Sequence, residues 1–290
     1  MRLVLKFNLV ILLVFGLGFG AAAWFSRELL QRSAREDVLQ DARLIMESAL
    51  ASRKYTSSQI APLLKRLGDD EFLPQTVPAF GATEQFNSLH AQFPDFSYKE
   101  ATLNPTNPRD RASDWEVDIV NRFRQYPTQT EIIGERDTPT GRSLYLGKPI
   151  TIDDSACLPC HSTVDAAPKS MIRKYGPANG FGWQLHETVG AQLVSVPMTL
   201  PMSHATSAFY TFLASLAGVF VAVFVVLNVM LMVIVVHRVT RLATLADEVS
   251  LGKLDGPDFP AGGGDEVSRL AQSFNRMKKS VVHAIKMLEE

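Results

Sequence analysis

Two stretches of the chain carry no charged residue. Phe7–Ser26 is 20 residues long and Ala205–Val236 is 32. An α-helix rises 1.5 Å per residue, so about 20 apolar residues cross a hydrocarbon core. Both stretches are predicted as transmembrane helices, at 8–26 and 207–236. From Glu28 to about Leu67 the pattern turns amphipathic. Leu29, Leu30, Val38, Leu39, Leu44, Ile45, Ala49 and Leu50 recur at threes and fours, which predicts a helix continuing out of the first span. It weakens at Pro62 and ends by Gly68. Residues 68–114 are dense in Pro, Gly, Asn and Asp and are read as loops and short strands. Asp114–Arg124 is predicted as a short helix capped by Asp114, with Trp115, Ile119, Val120 and Phe123 on one side. Thr130–Ile133, Arg142–Leu146, Pro149–Ile152 and Gly190–Val196 are predicted strands between Gly and Pro turns. After Val236 the period changes again. Val239, Leu242, Leu245 and Val249 form one stripe. Val267, Leu270, Phe274, Met277, Val281, Ala284 and Leu288 then follow at alternating threes and fours, a coiled-coil seam. Gly252, Gly256, Pro257, Pro260 and Gly262–Gly264 separate the two helices.

Charge orients this plan. Arg2 and Lys6 precede the first apolar stretch, and His237, Arg238 and Arg241 follow the second. Short flanks rich in Lys and Arg stay cytoplasmic. Both ends are therefore expected in the cytoplasm of a two-pass inner-membrane protein, with 27–206 exported to the periplasm. The organisation expected is a cytoplasmic start at 1–7, a first span at 8–26, an exported domain at 27–206, a second span at 207–236 and a cytoplasmic tail at 237–290. A cleaved signal peptide ending near Ala21-Ala22-Ala23 is the alternative for the first stretch; either way the middle segment is exported. The overall balance, 29 Lys+Arg against 30 Asp+Glu, argues against nucleic acid as a partner.

The two cysteines stand together, in Cys157-Leu158-Pro159-Cys160-His161. In an exported domain a C-x-x-C-H run reads as c-type haem attachment. Two thiols three positions apart reach the two vinyl groups of one haem, and the next side chain presents an imidazole to the iron. Cys157 and Cys160 are thus the expected thioether residues and His161 the proximal iron ligand. A redox dithiol is an alternative that needs no adjacent His. A zinc site would need two further ligands, and the sequence has no second C-x-x-C and no H-x-x-x-H.

The sixth position is open to several residues. His90, His186 and His204 lie in the exported segment, as do Met46, Met171, Met198 and Met202. Met46, on the long helix, is the distal candidate, with core packing as its plainer role. An open distal side that takes a small gas is equally compatible. Tyr175, Phe181, Trp183 and Leu185 are candidate pocket walls. Arg53, Lys54, Arg109 and Arg142 are candidate partners of haem propionates.

Two resemblances follow from ordered motifs. Gly252-Lys253-Leu254-Asp255, Asp265-Glu266-Val267 and Leu270 through Met277 resemble the HAMP signalling module, with Val239-Thr240 where a Pro is usual and Ser268 where a Gly is usual. That resemblance implies a homodimer built on a parallel four-helix bundle. Upstream, Leu103-Asn104-Pro105-Thr106-Asn107-Pro108, Asp114-Trp115-Glu116, Gly147-Lys148-Pro149-Ile150, the haem motif, Tyr175-Gly176, Gly180-Phe181-Gly182-Trp183, Gly190-Ala191 and Ser195-Val196-Pro197-Met198 together resemble a family of bacterial exported c-type haem domains with a PAS-like fold. It implies an α+β domain with one covalent haem c and a sensory role, covering roughly 30–200. The expectation is a membrane-bound haem sensor of redox state or a small gas, relaying through HAMP to a separate cytoplasmic signalling protein. No enzymatic output is expected. A membrane-anchored electron-transfer cytochrome c is the alternative, and it needs no HAMP.

Overall fold

The computed structural model describes residues 3–66 and 71–289. Arg2, in the basic start, and Gly68, the expected helix end, lie outside the described residues. The chain divides into two units, one of residues 27–208 and one of residues 1–26 with 209–290. In chain order the elements are helices α1 (Leu3–Tyr55), α2 (Ala61–Arg66) and α3 (Pro78–His90), strand β1 (Ser97–Thr102) and α4 (Asp114–Gln125). Then come β2 (Ile132–Thr138), β3 (Gly141–Thr151), α5 (Leu158–His161), α6 (Lys169–Tyr175), β4 (Thr188–Pro197), α7 (Thr199–Met230), α8 (His237–Ser250) and α9 (Glu266–Glu289).

Residues 27–208 form an α+β unit. Its four strands make one antiparallel sheet in the order β1-β4-β3-β2. Alternation along each strand sends Leu144, Leu146, Val194 and Val196 to one face. They pack there against Val38, Ala42, Met46 and Ala49 of α1. Leu193, Ala191 and Ala101 go to the opposite face and meet Ile119, Val120 and Phe123 of α4. The sheet is thus packed on both faces, by α1 and α3 on one side and by α4 over part of the other.

The helical periodicity of the segment after the first span is present, and most of its stripe faces inward: Val38 and Ala49 are buried, and Leu39, Ile45 and Leu50 pack against the same core. Leu29 and Leu44 are exposed instead, Leu44 at 69 %, and Ala34, Ala42 and Met46, outside the expected stripe, are buried. A π-helical turn, Thr56–Ile60, links α1 to α2.

Three further readings are corrected. The stretch read as loops and short strands contains a 13-residue helix, α3, opened by Pro78 at its first turn, where the missing N–H costs nothing. The two strands expected on either side of Gly147 and Lys148 are one 11-residue strand, β3. Pro149 is tolerated because it lies beyond the last β2 pair, Ile132–Gly147, where β3 has β4 as its neighbour. The N-cap of α4 is Ser113, one residue earlier than expected, and its N–H donates to the Glu116 carboxylate at 2.7 Å.

In the other unit, α1 and α7 are apolar enough and long enough to cross a membrane. Phe15 stacks on Phe220 with 4.8 Å between ring centroids. Beyond α7, a small core of Leu242, Phe259 and Ala271 joins α8, the connector and α9. Both amide groups of Asn275 tie the connector at Phe259, accepting its N–H at 2.8 Å and donating to its carbonyl at 2.9 Å. Asp265 caps α9 by accepting the Ser268 N–H at 2.8 Å and pairs with Arg238 at 2.6 Å.

Candidate functional site

Strand β3 runs out at Thr151, and the chain turns through Asp154, whose carboxylate accepts the Ala156 N–H at 2.8 Å. That turn delivers Cys157 at the start of a short helix carrying Cys160 and ending on His161. Both thiols are free and half-buried. Burial pushes both above the usual thiol range, Cys157 further helped by the Asp154 charge. A redox-active dithiol needs a thiol shifted the other way, toward the thiolate.

The imidazole of His161 is held on three sides. Its Nδ1 lies 2.8 Å from the Gly180 carbonyl oxygen. A carbonyl can only accept, so Nδ1 carries the proton and Nε2 keeps its lone pair. Burial holds the ring pKa below its usual value, which favours this neutral form. Trp183 stacks on the ring at 4.0 Å and 11° from parallel. The Thr106 hydroxyl stands 3.4 Å from Nδ1. A neutral imidazole oriented through one nitrogen, with the other free, is the arrangement that metal-ligating histidines use.

The loop that orients His161 is itself clamped. Asn104 accepts the Gly180 N–H and donates to the Phe181 carbonyl, both at 3.2 Å. The Gly182 and Trp183 N–H groups donate back to the carbonyls of Ser162 and His161 at 2.9 and 3.1 Å. Gly180 has φ +89°, and a Cβ there would meet Thr106 Oγ1 at 2.0 Å, so this position admits only glycine. The Asn-Pro run and the Gly-Phe-Gly-Trp run, 76 residues apart in sequence, therefore meet around one histidine.

The other expected site residues are distributed unevenly. Arg53 is the basic residue whose charge acts on Cys157, and it pairs with the buried Glu100. Tyr98 donates to the same carboxylate at 2.8 Å, and Gln192 donates to the Tyr98 oxygen at 3.4 Å. This buried polar row lies on β1, a short strand in the stretch read as loops and short strands but not placed there; alternation of Tyr98 and Glu100 with exposed or smaller neighbours was the signal available. Lys54 is exposed. Arg109 pairs with Glu84 and Asp110, and Arg142 pairs with Glu135. Among the candidate walls, Trp183 contacts His161, Tyr175 meets Phe72 edge-on at 6.1 Å, Phe181 is half-buried, and Leu185 is exposed.

Met46 is fully buried in the apolar cluster between α1 and the sheet. It sits seven residues before Arg53, about 10 Å along the helix axis. Met198 and Met202 belong to the same cluster, and Met171 is buried on α6. His90 is exposed and bonds the Phe96 carbonyl at 2.8 Å, His186 is exposed with φ +64°, and His204 is exposed.

A family model described as Tll0287-like matches residues 31–197, and a HAMP domain model matches 230–283. No curated protein matches the chain. A crystal structure of the cyanobacterial haem protein Tll0287 aligns with 16 % identity and a TM-score of 0.43, over 55 % of this chain and 94 % of that one. The first family match spans more than half of the sequence and contains both cysteines, His161 and the loops that hold it. On that match, the chain belongs to the Tll0287-like family and carries a HAMP domain after it.

Proposed function

We propose that this chain is a membrane-bound c-type haem sensor. The observation that carries the reading is the His161 Nδ1–Gly180 carbonyl bond, which leaves Nε2 free beside two unpaired thiols in a C-x-x-C-H run. That donor set fits a haem held by thioethers at Cys157 and Cys160 with His161 as the proximal ligand. When bound, the haem supplies a redox-active iron with a sixth position for a small gas or a protein ligand. Arg53, beside Cys157, is the basic side chain best located to meet a propionate. Met46 fits a packing role better than a distal one, since it is enclosed by the sheet core.

The signal passes through the elements that flank the 27–206 domain. Helix α1 and strand β4 each continue into a helix apolar enough to span the membrane, α1 into its own first half and β4 into α7. In a PAS-like domain at the periplasmic face of the inner membrane, His161 and the Gly180–Trp183 loop that orients it would carry any change at a bound iron into the fold. Such a change biases two packings of the HAMP helices in a homodimer, and a separate cytoplasmic protein reads the result. A HAMP domain favours this reading over a membrane-anchored electron-transfer cytochrome, which has no use for one.

The test is an absorption spectrum of the full chain expressed with c-type maturation, taken oxidised, reduced, and reduced with CO. Expected is one haem per chain that survives denaturing electrophoresis and is lost in Cys157→Ala/Cys160→Ala. A full chain that matures without covalent haem overturns the proposal. A bound haem whose redox change leaves cross-linking in 237–290 unaltered overturns the signalling half alone.

A further inference from the structure

The sheet face that carries α4 is not fully covered. Register places Ser97, Ser195, Tyr145 and Gly134 in one cross-strand row, on the same face as Leu193 and Ala101. Helix α4 packs over Leu193, Ala191 and Ala101. Its first turn ends the cover with Trp115 against Tyr145, ring centroids 5.4 Å apart. Gly134 has no side chain to compete with that phenol; a Cβ there would meet Tyr145 Oη at 2.3 Å. Beyond Trp115 lies a cavity of about 420 Å³, floored by the serine row and closed at the β1 edge by Asn87 and His90 of α3.

The three basic side chains of this cavity are not equally engaged. Lys99 is consumed by Glu116 at 2.7 Å and by the Arg111 carbonyl at 2.8 Å. Arg109 is consumed by Glu84 and Asp110. Arg136 lies over the Trp115 ring at 4.1 Å and, among the described residues, has no acid within ion-pair distance. Ser97, exposed, and Ser195, half-buried, line the cavity, and neither hydroxyl is bonded to a side chain or backbone group among the described residues. The cavity therefore offers one guanidinium held over Trp115 and outside any ion pair among the described residues, two serine hydroxyls, and apolar walls from Trp115, Phe86 and Leu193.

We propose that this cavity is a second ligand site, for a small organic carboxylate. The guanidinium presents two parallel N–H donors to a carboxylate, a pairing stronger than one between neutral groups. Stacking on Trp115 holds the fork in place before the ligand arrives, so little side-chain entropy is lost on binding. The serine hydroxyls take the remaining lone pairs. The apolar walls and the volume fit an organic body rather than a bare inorganic anion. None of Cys157, Cys160 and His161 lines this cavity, and its argument does not depend on the haem reading.

The experiment is calorimetric titration of the full chain in detergent, with tryptophan fluorescence in parallel, using benzoate and succinate as probes. Benzamide is the uncharged control and phosphate the inorganic one. At least one of the two carboxylates is expected to bind saturably, with benzamide and phosphate weaker by about tenfold or more, the worth of a charge-assisted pair. Arg136→Gln lowers carboxylate affinity by about tenfold and Arg136→Lys restores part of it, while the far-ultraviolet circular dichroism stays unchanged. Should Arg136→Gln fail to fold, Ser195→Ala carries the test through a smaller loss of affinity. No saturable binding of either carboxylate overturns the proposal. So does equal binding of benzamide, tighter binding of phosphate, or carboxylate affinity unchanged in the folded variants.

Discussion

The imidazole of His161 lies flat against the indole of Trp183, 4.0 Å away and 11° from parallel, while its Nδ1 is bonded to the Gly180 carbonyl. The bond sets the tautomer and the stack sets the ring plane. Together they fix which nitrogen is free and the plane in which its lone pair lies, as metal-ligating histidines are held. Aromatic stacks of this kind contribute about 0.5–1.5 kcal/mol beyond burial. Trp183→Ala is expected to keep the thioethers but loosen the axial bond. Resonance Raman of the reduced protein should show a weakened iron–histidine stretch, and an unchanged stretch would mean the stack has no positioning role.

The clamp on the same loop can be opened from the opposite side. Asn104→Ala removes two hydrogen bonds, at 3.2 Å each, and leaves the Gly180 N–H and Phe181 carbonyl unpaired. At about 1 kcal/mol per bond, the loss of stability should be about 2 kcal/mol. Chemical denaturation gives this value, and a shift of the haem midpoint potential in the same variant distinguishes a positioning role from a purely structural one.

Met46 is fully buried among Leu144, Leu146, Val194 and Val196. Truncation of such a side chain leaves a cavity and costs about 2–5 kcal/mol. Met46→Ala should therefore lower the unfolding midpoint sharply, and Met46→Leu should restore it. The visible spectra of Met46→Leu and the natural chain should coincide, whereas a methionine bound to iron would make them differ.

Asp110 provides a pH-dependent term. Burial pushes its carboxyl up to about 6, the Glu100 charge adds to this, and Arg109 opposes it. The unfolded chain releases the proton near 3.8, so between that pH and about 6 the folded state binds the extra proton. Stability from this group is thus present below pH 3.8 and falls as pH rises toward 6. Asp110→Asn should flatten the fall and be more stable than the natural chain at pH 7. Urea midpoints measured at half-unit steps would show whether the slope disappears.

On α9 the predicted seam is open in a single chain: Leu270, Met277 and Val281 are exposed. Leu288 of the same seam is outside the residues whose side chains are described. Exposed apolar positions at heptad spacing are covered when a second copy supplies the facing holes. Single cysteines at Met277 and Val281 should form disulfide-linked dimers in membranes far faster than cysteines at Arg276 or Lys279. Equal rates at all four positions would contradict a seam-to-seam dimer.

The elements legible in the sequence share one property: their signal is local. The uncharged runs of 20 and 32 residues, the heptads after Val236, and the C-x-x-C-H run each declare themselves within a short window. Helix α4 was legible for the same reason. By contrast α3 and β1 hid in a stretch rich in Pro and Gly. On α1 the expected stripe holds at Val38, Leu39, Ile45, Ala49 and Leu50, but Leu29 and Leu44 are exposed while Ala34 and Ala42 are buried, since hydrophobicity alone does not mark a small buried residue.

What the sequence by itself determined was the set of parts: two membrane-compatible helices, a C-x-x-C-H run at Cys157, Cys160 and His161, and a HAMP module. What only the tertiary structure decided was how those parts are held. Asn104 and Gly180 are 76 residues apart, Arg53 and Glu100 47, and Trp115 and Arg136 lie on different elements. Their contacts arise from strand order β1-β4-β3-β2, which brings the ends of distant strands together. No window of local periodicity encodes that order. It is set by the burial of two sheet faces at once, a property of the folded chain as a whole.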